Sequence, residues 1–399
     1  MLLELFLALF LGILCGIVTG LVPGIHVNLV SVLLISFSAV LLTYTSPIVL
    51  AVFIISLAIT HTFLDAIPSI YLGAPTEAQA LNVLPGHRLL LKGLGHNAIM
   101  YTVIGALGSL LLSLLLFPLF IFTMDKISPL VNQIIGYLLI AIMMYMILKE
   151  KKWLQCLVVF LLSGALGLLV FSIPNLEQPL FHLLSGLFGF SILVESLRQK
   201  SVIPKQKSAP LSLSKKNLVK SVSAASGMGF IAAFLPGFGS GEAAIIATIA
   251  GGDVCDVGFL TLVGGLNTAS MAISIAAAYV LQKARNGAIV AVNELLGVVG
   301  FKEMILFMGV ALVAGGVAAL LTIYLSKVFA KYIVKVNYSR LIMGILIFIT
   351  LLAFYFDGFI GLTILLTATA IGLVTSAFGV GKNHLMGCLI LPVILYFIL

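Results

Sequence analysis

Charged side chains are scarce in this chain of 399 residues. They make up 9% of it, whereas 62% of the residues are hydrophobic and the mean hydropathy is +1.27. Soluble domains carry roughly 25% charged residues. Apolar runs of about 20 residues, the length that crosses a bilayer, fill nearly the whole chain. The composition therefore excludes a soluble domain and predicts a polytopic membrane protein.

Several other features are absent. The four cysteines form no metal-binding spacing and suggest no disulfide framework. Neither a Walker A pattern nor an H-E-x-x-H motif is present, so we expect no ATP hydrolysis, no metal site and no resident cofactor. No catalytic constellation is visible, and we predict that the chain is not an enzyme. The net charge of +8 comes mainly from loops, which argues against nucleic acid as a partner. The scattered cysteines are Cys15, Cys156, Cys255 and Cys388.

Two apolar helices end in a Pro-Gly motif, at Leu21–His26 and at Leu235–Ser240. Upstream of each motif, small residues recur at every fourth position and lead in the same register to Gly24 and to Gly237. The preceding small residues are Gly12, Gly16 and Gly20 in the first helix, and Ala225, Gly229 and Ala233 in the second. Broken helices at corresponding positions of two halves indicate a transport site.

The shared register predicts a duplication with repeats at 1–197 and 219–399. A weaker match pairs Gly73–Thr76 with Gly265–Thr268, and another pairs His182 with His384. The segment 198–218 between the repeats is rich in Ser, Lys and Pro and has basic but no acidic residues. It is therefore predicted to be a cytoplasmic linker by the positive-inside rule.

Loop charge predicts that the repeats are inverted. In the first half the turn at Asp125-Lys126 is neutral and the next turn, Lys149–Lys152, is basic. In the second half the corresponding turns carry a basic run over 327–340 and a single Asp357. Matching loops then lie on opposite sides of the membrane, with the N-terminus outside. We predict an all-α polytopic fold of two inverted repeats with broken or re-entrant helices and about 10–14 membrane segments.

A helix that begins inside the membrane exposes unpaired backbone N–H groups and the positive end of its dipole, which suits a carboxylate or phosphate. Two such helix starts, one per half, predict a shared anion site near the midplane. The alternative is that the motifs only make tight turns and the small residues only pack helices. The predicted substrate-binding residues are Pro23, Gly24, His26, Asn28, Thr76, Pro236, Gly237, Gly239, Ser240, Asn267 and Thr268.

Charged residues near the breaks supply further candidates. Asp65, Glu77 and Glu242 lie in irregular segments and are candidates for coupling to Na⁺ or H⁺, because intramembrane carboxylates mark ion pathways. The alternative is that each carboxylate meets water at an interface. Arg88 and Lys92 are candidates for contact with an anionic substrate or a lipid head group, although ordinary positive-inside anchoring also explains them.

Several motifs together resemble the large membrane subunit of tripartite tricarboxylate transporters, the TctA type. The resemblance implies inverted repeats, a central carboxylate site and ion-coupled uptake, assisted by a small membrane subunit and an extracytoplasmic binding protein. The closing Gly381–Gly387 is similar to the shorter, mainly archaeal branch of that family. The other motifs are the two Pro-Gly breaks, Gly73–Glu77, Pro85–Gly93 and Glu242-Ala243-Ala244.

These observations predict a multi-pass transporter of the cell membrane. Its expected activity is secondary-active, ion-coupled transport of a di- or tricarboxylate-like anion by alternating access. One alternative is a polyprenyl-phosphate translocase, for which a lipid phosphate occupies the same anion site. A membrane-embedded enzyme or an assembly scaffold is a third class. The expected partners are the lipid bilayer, the transported anion, the two accessory subunits and, in a homodimer, a second copy.

Overall fold

The computed structural model describes residues 2–22, 27–73, 83–198, 204–234, 240–251, 255–282, 286–333 and 338–398. Within these ranges the regular secondary structure is entirely helical. A backbone in lipid must satisfy its hydrogen bonds internally, and the helix does so within one segment.

Among its described residues the first half contains eleven helices, and a π-helical turn at Ser185–Phe190 joins the last two. They are α1 (Leu2–Leu21), α2 (Val27–Ser36), α3 (Ser38–Leu41), α4 (Pro47–Leu64), α5 (Ala66–Leu72), α6 (Val83–Leu91), α7 (Gly95–Leu115), α8 (Phe117–Lys149), α9 (Trp153–Ser172), α10 (Pro179–Leu184) and α11 (Ser191–Arg198).

The described part of the second half contains seven helices, and a 3₁₀ turn at Lys382–Met386 precedes the last one. The longest, α17, is broken at Asp357-Gly358, where Gly358 has a φ of +56°. The seven are α12 (Lys215–Phe234), α13 (Ser240–Gly251), α14 (Asp256–Leu281), α15 (Gly287–Leu296), α16 (Phe301–Ile333), α17 (Tyr338–Phe378) and α18 (Gly387–Ile398).

Seven helical segments of the described chain are long and apolar enough to cross a membrane. This finding confirms an all-α polytopic membrane protein. In two of the seven, Pro47–Leu72 and Asp256–Leu281, 83% of the residues in the apolar 18-residue stretch are buried. In Ile342–Phe378 only 17% of them are buried. The first two segments therefore form the centre of the bundle, and the third faces lipid.

Both runs of small residues are helix-packing surfaces. A side chain at Gly16 would meet Thr60 of α4, with Cβ atoms 2.6 Å apart, and one at Gly229 would meet Ala269 of α14 at 2.8 Å. Close backbone approach at small residues is how membrane helices gain packing energy without a hydrophobic driving force between them. The pair α1–α4 thus corresponds to the pair α12–α14.

The contacts give a different alignment of the repeats from the one that the weaker sequence match predicts. Gly12 packs on Ser56, and Ala225 at the equivalent position of α12 packs on Gly265. In a duplication, this contact pairs Ser56 with Gly265, which differs from the sequence match of Gly73 with Gly265. Small residues recur in every closely packed membrane helix, so short matches of this kind are common. The repeat and its alignment stay predictions.

The last segment of each half packs against a helix of the other half. Gly167 of α9 lies against the backbone of Cys388 in α18, and Gly372 of α17 lies against Leu187 and Ser191 around the π-helical turn. These matched contacts agree with the pairing of His182 with His384, which begin the two segments. The inverted orientation of the halves stays a prediction.

The described part of the linker, residues 204–214, has no helix and runs along α7. The amide of Lys207 donates to the Gly93 carbonyl at 2.7 Å. Asn97 binds both backbone groups of Ala209, at 2.7 and 3.1 Å, and the Tyr101 hydroxyl accepts from the Ser212 amide at 2.9 Å. The linker is therefore fixed to the first half by its backbone groups.

We call the described linker, residues 204–214, the strap, and we expect Asn97→Ala to release it from α7. The substitution removes the two hydrogen bonds to Ala209, whose backbone N–H and C=O groups must then find other partners. Such a loss typically destabilises the bound conformation by about 1–3 kcal/mol. Trypsin should then cleave after the exposed Lys205 and Lys207 at least about tenfold faster in detergent. Tyr324→Phe, which changes an exposed ring on α16, is the control. Equal cleavage rates in wild type and Asn97→Ala would show that the strap opens freely.

Candidate functional site

Much of the predicted anion site falls outside the described residues, and for those residues the predictions stay as they were. The backbones of Asn28 and Glu242 are described, in α2 and α13, but their side chains are not. The residues wholly outside the described ranges are Pro23, Gly24, His26, Thr76, Glu77, Pro236, Gly237 and Gly239.

Helices flank each Pro-Gly motif on both sides. Helix α1 ends at Leu21 and α2 begins at Val27, while α12 ends at Phe234 and α13 begins at Ser240. The first turns of α2 and α13 each have amide N–H groups without an intrahelical acceptor. Ser240, a predicted donor, is partly buried at the start of α13.

Two of the predicted residues meet in the centre of the bundle. Asp65 lies where α4 passes into α5 and is 1% exposed. Asn267, near the middle of α14, donates from Nδ2 to Asp65 Oδ2 at 3.0 Å. The contact joins a helix of the first half to a helix of the second, and it holds a carboxylate buried in the centre of the helix bundle.

A second polar contact joins the same helices beside the first. The hydroxyl oxygens of Thr62 and Thr268 lie 3.0 Å apart, and both side chains are buried. Thr62 donates its proton to the Ile59 carbonyl at 2.8 Å. Thr268 in turn has the Gly264 carbonyl as an acceptor at 3.4 Å, so either hydroxyl can donate to the other.

The α1 helix extends this polar cluster toward the first break. Thr19 Oγ1 lies 3.1 Å from His61 Nδ1. One residue further, a Cβ at Gly20 would lie 2.7 Å from Leu64 Cβ and 3.4 Å from the Asp65 amide. On the other side, Gly229 of α12 packs at Ala269, two residues beyond Asn267. The helices that precede the two breaks thus flank the Asp65–Asn267 contact.

The chemistry of this cluster suits a small cation or a proton. Carboxylate, amide and hydroxyl oxygens are the ligands that hard cations prefer, and an ionised carboxylate in a membrane interior is costly unless it is compensated. In the described part of the chain, no three His, Cys, Asp or Glu side chains come together as a metal site.

The two predicted head-group residues lie elsewhere on the molecule. Arg88 at the end of α6 and Lys92 just beyond it both have exposed side chains, whereas Asp65 and Thr268 are buried. The structure therefore places them at a surface rather than in the central cluster.

Sequence reasoning missed Thr62. Its signal was the run Thr60-His61-Thr62 followed by Asp65, which gathers polar side chains at the C-terminal end of a largely apolar helix.

Lys382 was also missed. It is 6% exposed, donates from Nζ to Ser191 Oγ at 2.8 Å, and has Glu195 and Ser376 in the same network. Met386, in the same 3₁₀ turn, packs on Gly241 in the first turn of α13. A buried lysine thus belongs to the segment that contacts the helix after the second break.

Comparison with known proteins agrees with this architecture. The family described as "Tripartite tricarboxylate transporter TctA family" matches residues 6–387. The chain belongs to the TctA family. An uncharacterized protein of Methanocaldococcus jannaschii is 29% identical over 355 residues, which cover 87% of this chain and 88% of that protein. No solved structure matches. The resemblance drawn from the motifs is thereby confirmed, and the chain is a multi-pass membrane component of a transporter family.

The contact between Asp65 and Asn267 generates a stability prediction. Asn267→Ala removes a hydrogen-bond donor from a buried carboxylate and should lower the free energy of unfolding in detergent. In a protein that already carries Asp65→Asn, the same substitution should lower it less. The coupling free energy between the two substitutions should be about 1 kcal/mol, as for a hydrogen bond between membrane helices, and larger if Asp65 is ionised. Chemical unfolding of wild type, both single variants and the double variant measures this coupling free energy. Strictly additive effects would mean that the two side chains do not interact.

Proposed function

We propose that this chain is the substrate-translocating subunit of a secondary-active transporter for a di- or tricarboxylate. Its anion site lies between the two Pro-Gly breaks, and Asp65 binds the coupling Na⁺ or H⁺. The observation that carries the proposal is the buried Asp65–Asn267 contact between α4 and α14, flanked by the two helices that lead into the breaks.

Electrostatics supplies a reason for coupling at this position. The first turns of α2 and α13 provide dipole and N–H groups for the substrate's carboxylates. An ionised Asp65 in the same low-dielectric region repels a second anion. A cation or proton on Asp65 removes this repulsion and so raises the affinity for the anion. By linkage, the anion raises the affinity for the cation by the same factor.

Alternating access follows if the halves are inverted repeats that move against each other around this site. The last segment of each half packs on a helix of the other half, α18 on α9 and the π-helical turn on α17. This reciprocal packing supports two equivalent halves. In this proposal the N-terminus is outside, the strap 204–214 is cytoplasmic, and the protein resides in the cell membrane. A small membrane subunit and an extracytoplasmic binding protein complete the system, and a homodimer is a further candidate assembly.

Translocation of a polyprenyl phosphate is the alternative that the same helix starts support. Membership of the TctA family favours a dissolved carboxylate, because the family is described by that substrate class. Membership of the family also favours a transporter over a membrane enzyme or a scaffold.

Substitution of the break glycines tests the location of the anion site. Gly24→Leu and Gly237→Leu should each abolish uptake of radiolabelled citrate or succinate into proteoliposomes, because a side chain occupies the space that the anion needs next to the backbone. Gly309→Leu and Gly316→Leu are matched controls, since a Cβ at either position meets no atom within 4 Å. Normal uptake in the break variants, with intact insertion, would end the proposal.

Asp65→Asn tests the coupling. The variant mimics a permanently neutral Asp65, so it should still exchange labelled for unlabelled substrate but should lose at least about 90% of gradient-driven accumulation. Asp256→Asn makes the same change at an exposed position of α14 and should behave as wild type. Glu242→Gln, run in parallel, tests the other carboxylate next to a break. Wild-type accumulation by Asp65→Asn would show that Asp65 carries no coupling ion.

A further inference from the structure

A cavity of about 450 Å³ lies between two short helix connections. One connection is Lys149–Lys152, between α8 and α9 of the first half. The other is Gly379–Gly381, which follows α17 in the second half. The cavity is remote in sequence from the breaks and contains none of the residues assigned to the transport site.

The cavity is electropositive. Its lining holds three lysines and one acid, Glu150, which leaves an excess of two positive charges. The ammonium of Lys152 donates to the Phe378 carbonyl at 2.7 Å and so joins the two connections. The exposed side chains of Lys149 and Lys151 remain for a ligand.

The glycine connection gives the cavity its shape. Gly379 has a φ of +65°, and a Cβ there would lie 3.2 Å from Lys152 Nζ. Its amide donates to the Ser376 carbonyl at 3.0 Å, which closes a tight turn at the end of α17. A larger residue would push Lys152 away from α17 and would narrow the gap between the connections.

The surface around the cavity has the side-chain composition of a membrane interface. Tyr145 and Trp153 are about half exposed on either side of the lysines, and tyrosine and tryptophan favour the head-group level of a bilayer. Leu148 and Leu154 are 61% and 55% exposed at the adjoining ends of α8 and α9. The basic cavity therefore continues into an apolar, lipid-facing surface.

We propose that this cavity binds the phosphate of an anionic phospholipid. Lys149 and Lys151 contact the head group, and the acyl chains lie along Leu148 and Leu154. A basic loop that only anchors the protein needs no second segment beside it, whereas here two connections from different halves line one open, solvent-facing cavity. The apolar surface beside it favours a lipid over dissolved phosphate, since free phosphate gains nothing from exposed leucines.

The chain contains a built-in reporter for this site, because Trp153 is its single tryptophan. The protein is placed in phosphatidylcholine vesicles, and increasing fractions of brominated phosphatidylglycerol or brominated phosphatidylcholine are introduced as quenchers. We expect saturable quenching of Trp153 by the anionic lipid at mole fractions at least about tenfold lower than by the neutral lipid.

Charge removal at the site provides the decisive comparison. Lys149→Gln with Lys151→Gln should abolish the preference for the anionic lipid, because two basic residues near an anionic surface contribute up to about 30-fold in affinity. Lys215→Gln with Lys216→Gln removes the same charge from exposed positions on α12 and should leave the preference unchanged.

Three outcomes would overturn the proposal. They are equal quenching by the two lipids, an equal loss in both double variants, and displacement of the lipid by millimolar inorganic phosphate. The last result would assign the cavity to a dissolved anion. The test does not depend on transport, so its failure leaves the proposed function untouched.

Discussion

Close backbone contact at small residues is the constraint on which the rest of this structure depends. In lipid, helices gain nothing by burying leucine against leucine, so contact surfaces need glycine, alanine and serine. Gly16 on Thr60 and Gly229 on Ala269 bring each interrupted helix against a central helix. Gly105 of α7 packs as closely on Thr261 of α14. These approaches make α14 the centre of the bundle.

That packing gives the buried polar groups their positions. With α4 and α14 in contact, Asp65 reaches Asn267 and Thr62 reaches Thr268. Such groups are costly in a membrane and are kept mainly where they serve a function. In the proposed mechanism, a carboxylate held between two halves, beside the helices that enter the two breaks, links the binding of an ion to the binding of an anion by charge. No catalytic group is needed for this mechanism.

The sequence was informative where a pattern has a single physical cause. Composition predicted the membrane class, and the two Pro-Gly motifs were placed between helices as expected. Asp65 and Asn267 were both candidates, but their contact was not foreseen because it depends on how α4 and α14 approach in space. The match of Gly73 with Gly265 differs from the alignment that the helix contacts suggest, since small residues occur wherever helices pack, and the duplication stays a prediction. The strap was predicted only as a polar linker, because its order comes from Asn97 and Tyr101, far away in sequence. Lys382 was missed since one lysine near a helix end resembles ordinary anchoring.

The central claim is that one anion site lies between the two breaks, beside Asp65 and Asn267. The most direct test is an experimental structure of the reconstituted protein with saturating citrate. The account predicts an anion that contacts the backbone of both Pro-Gly motifs, at 23–26 and 235–239, with the Asp65–Asn267 pair next to it. An anion bound to one half alone, or bound away from both motifs, would contradict the account.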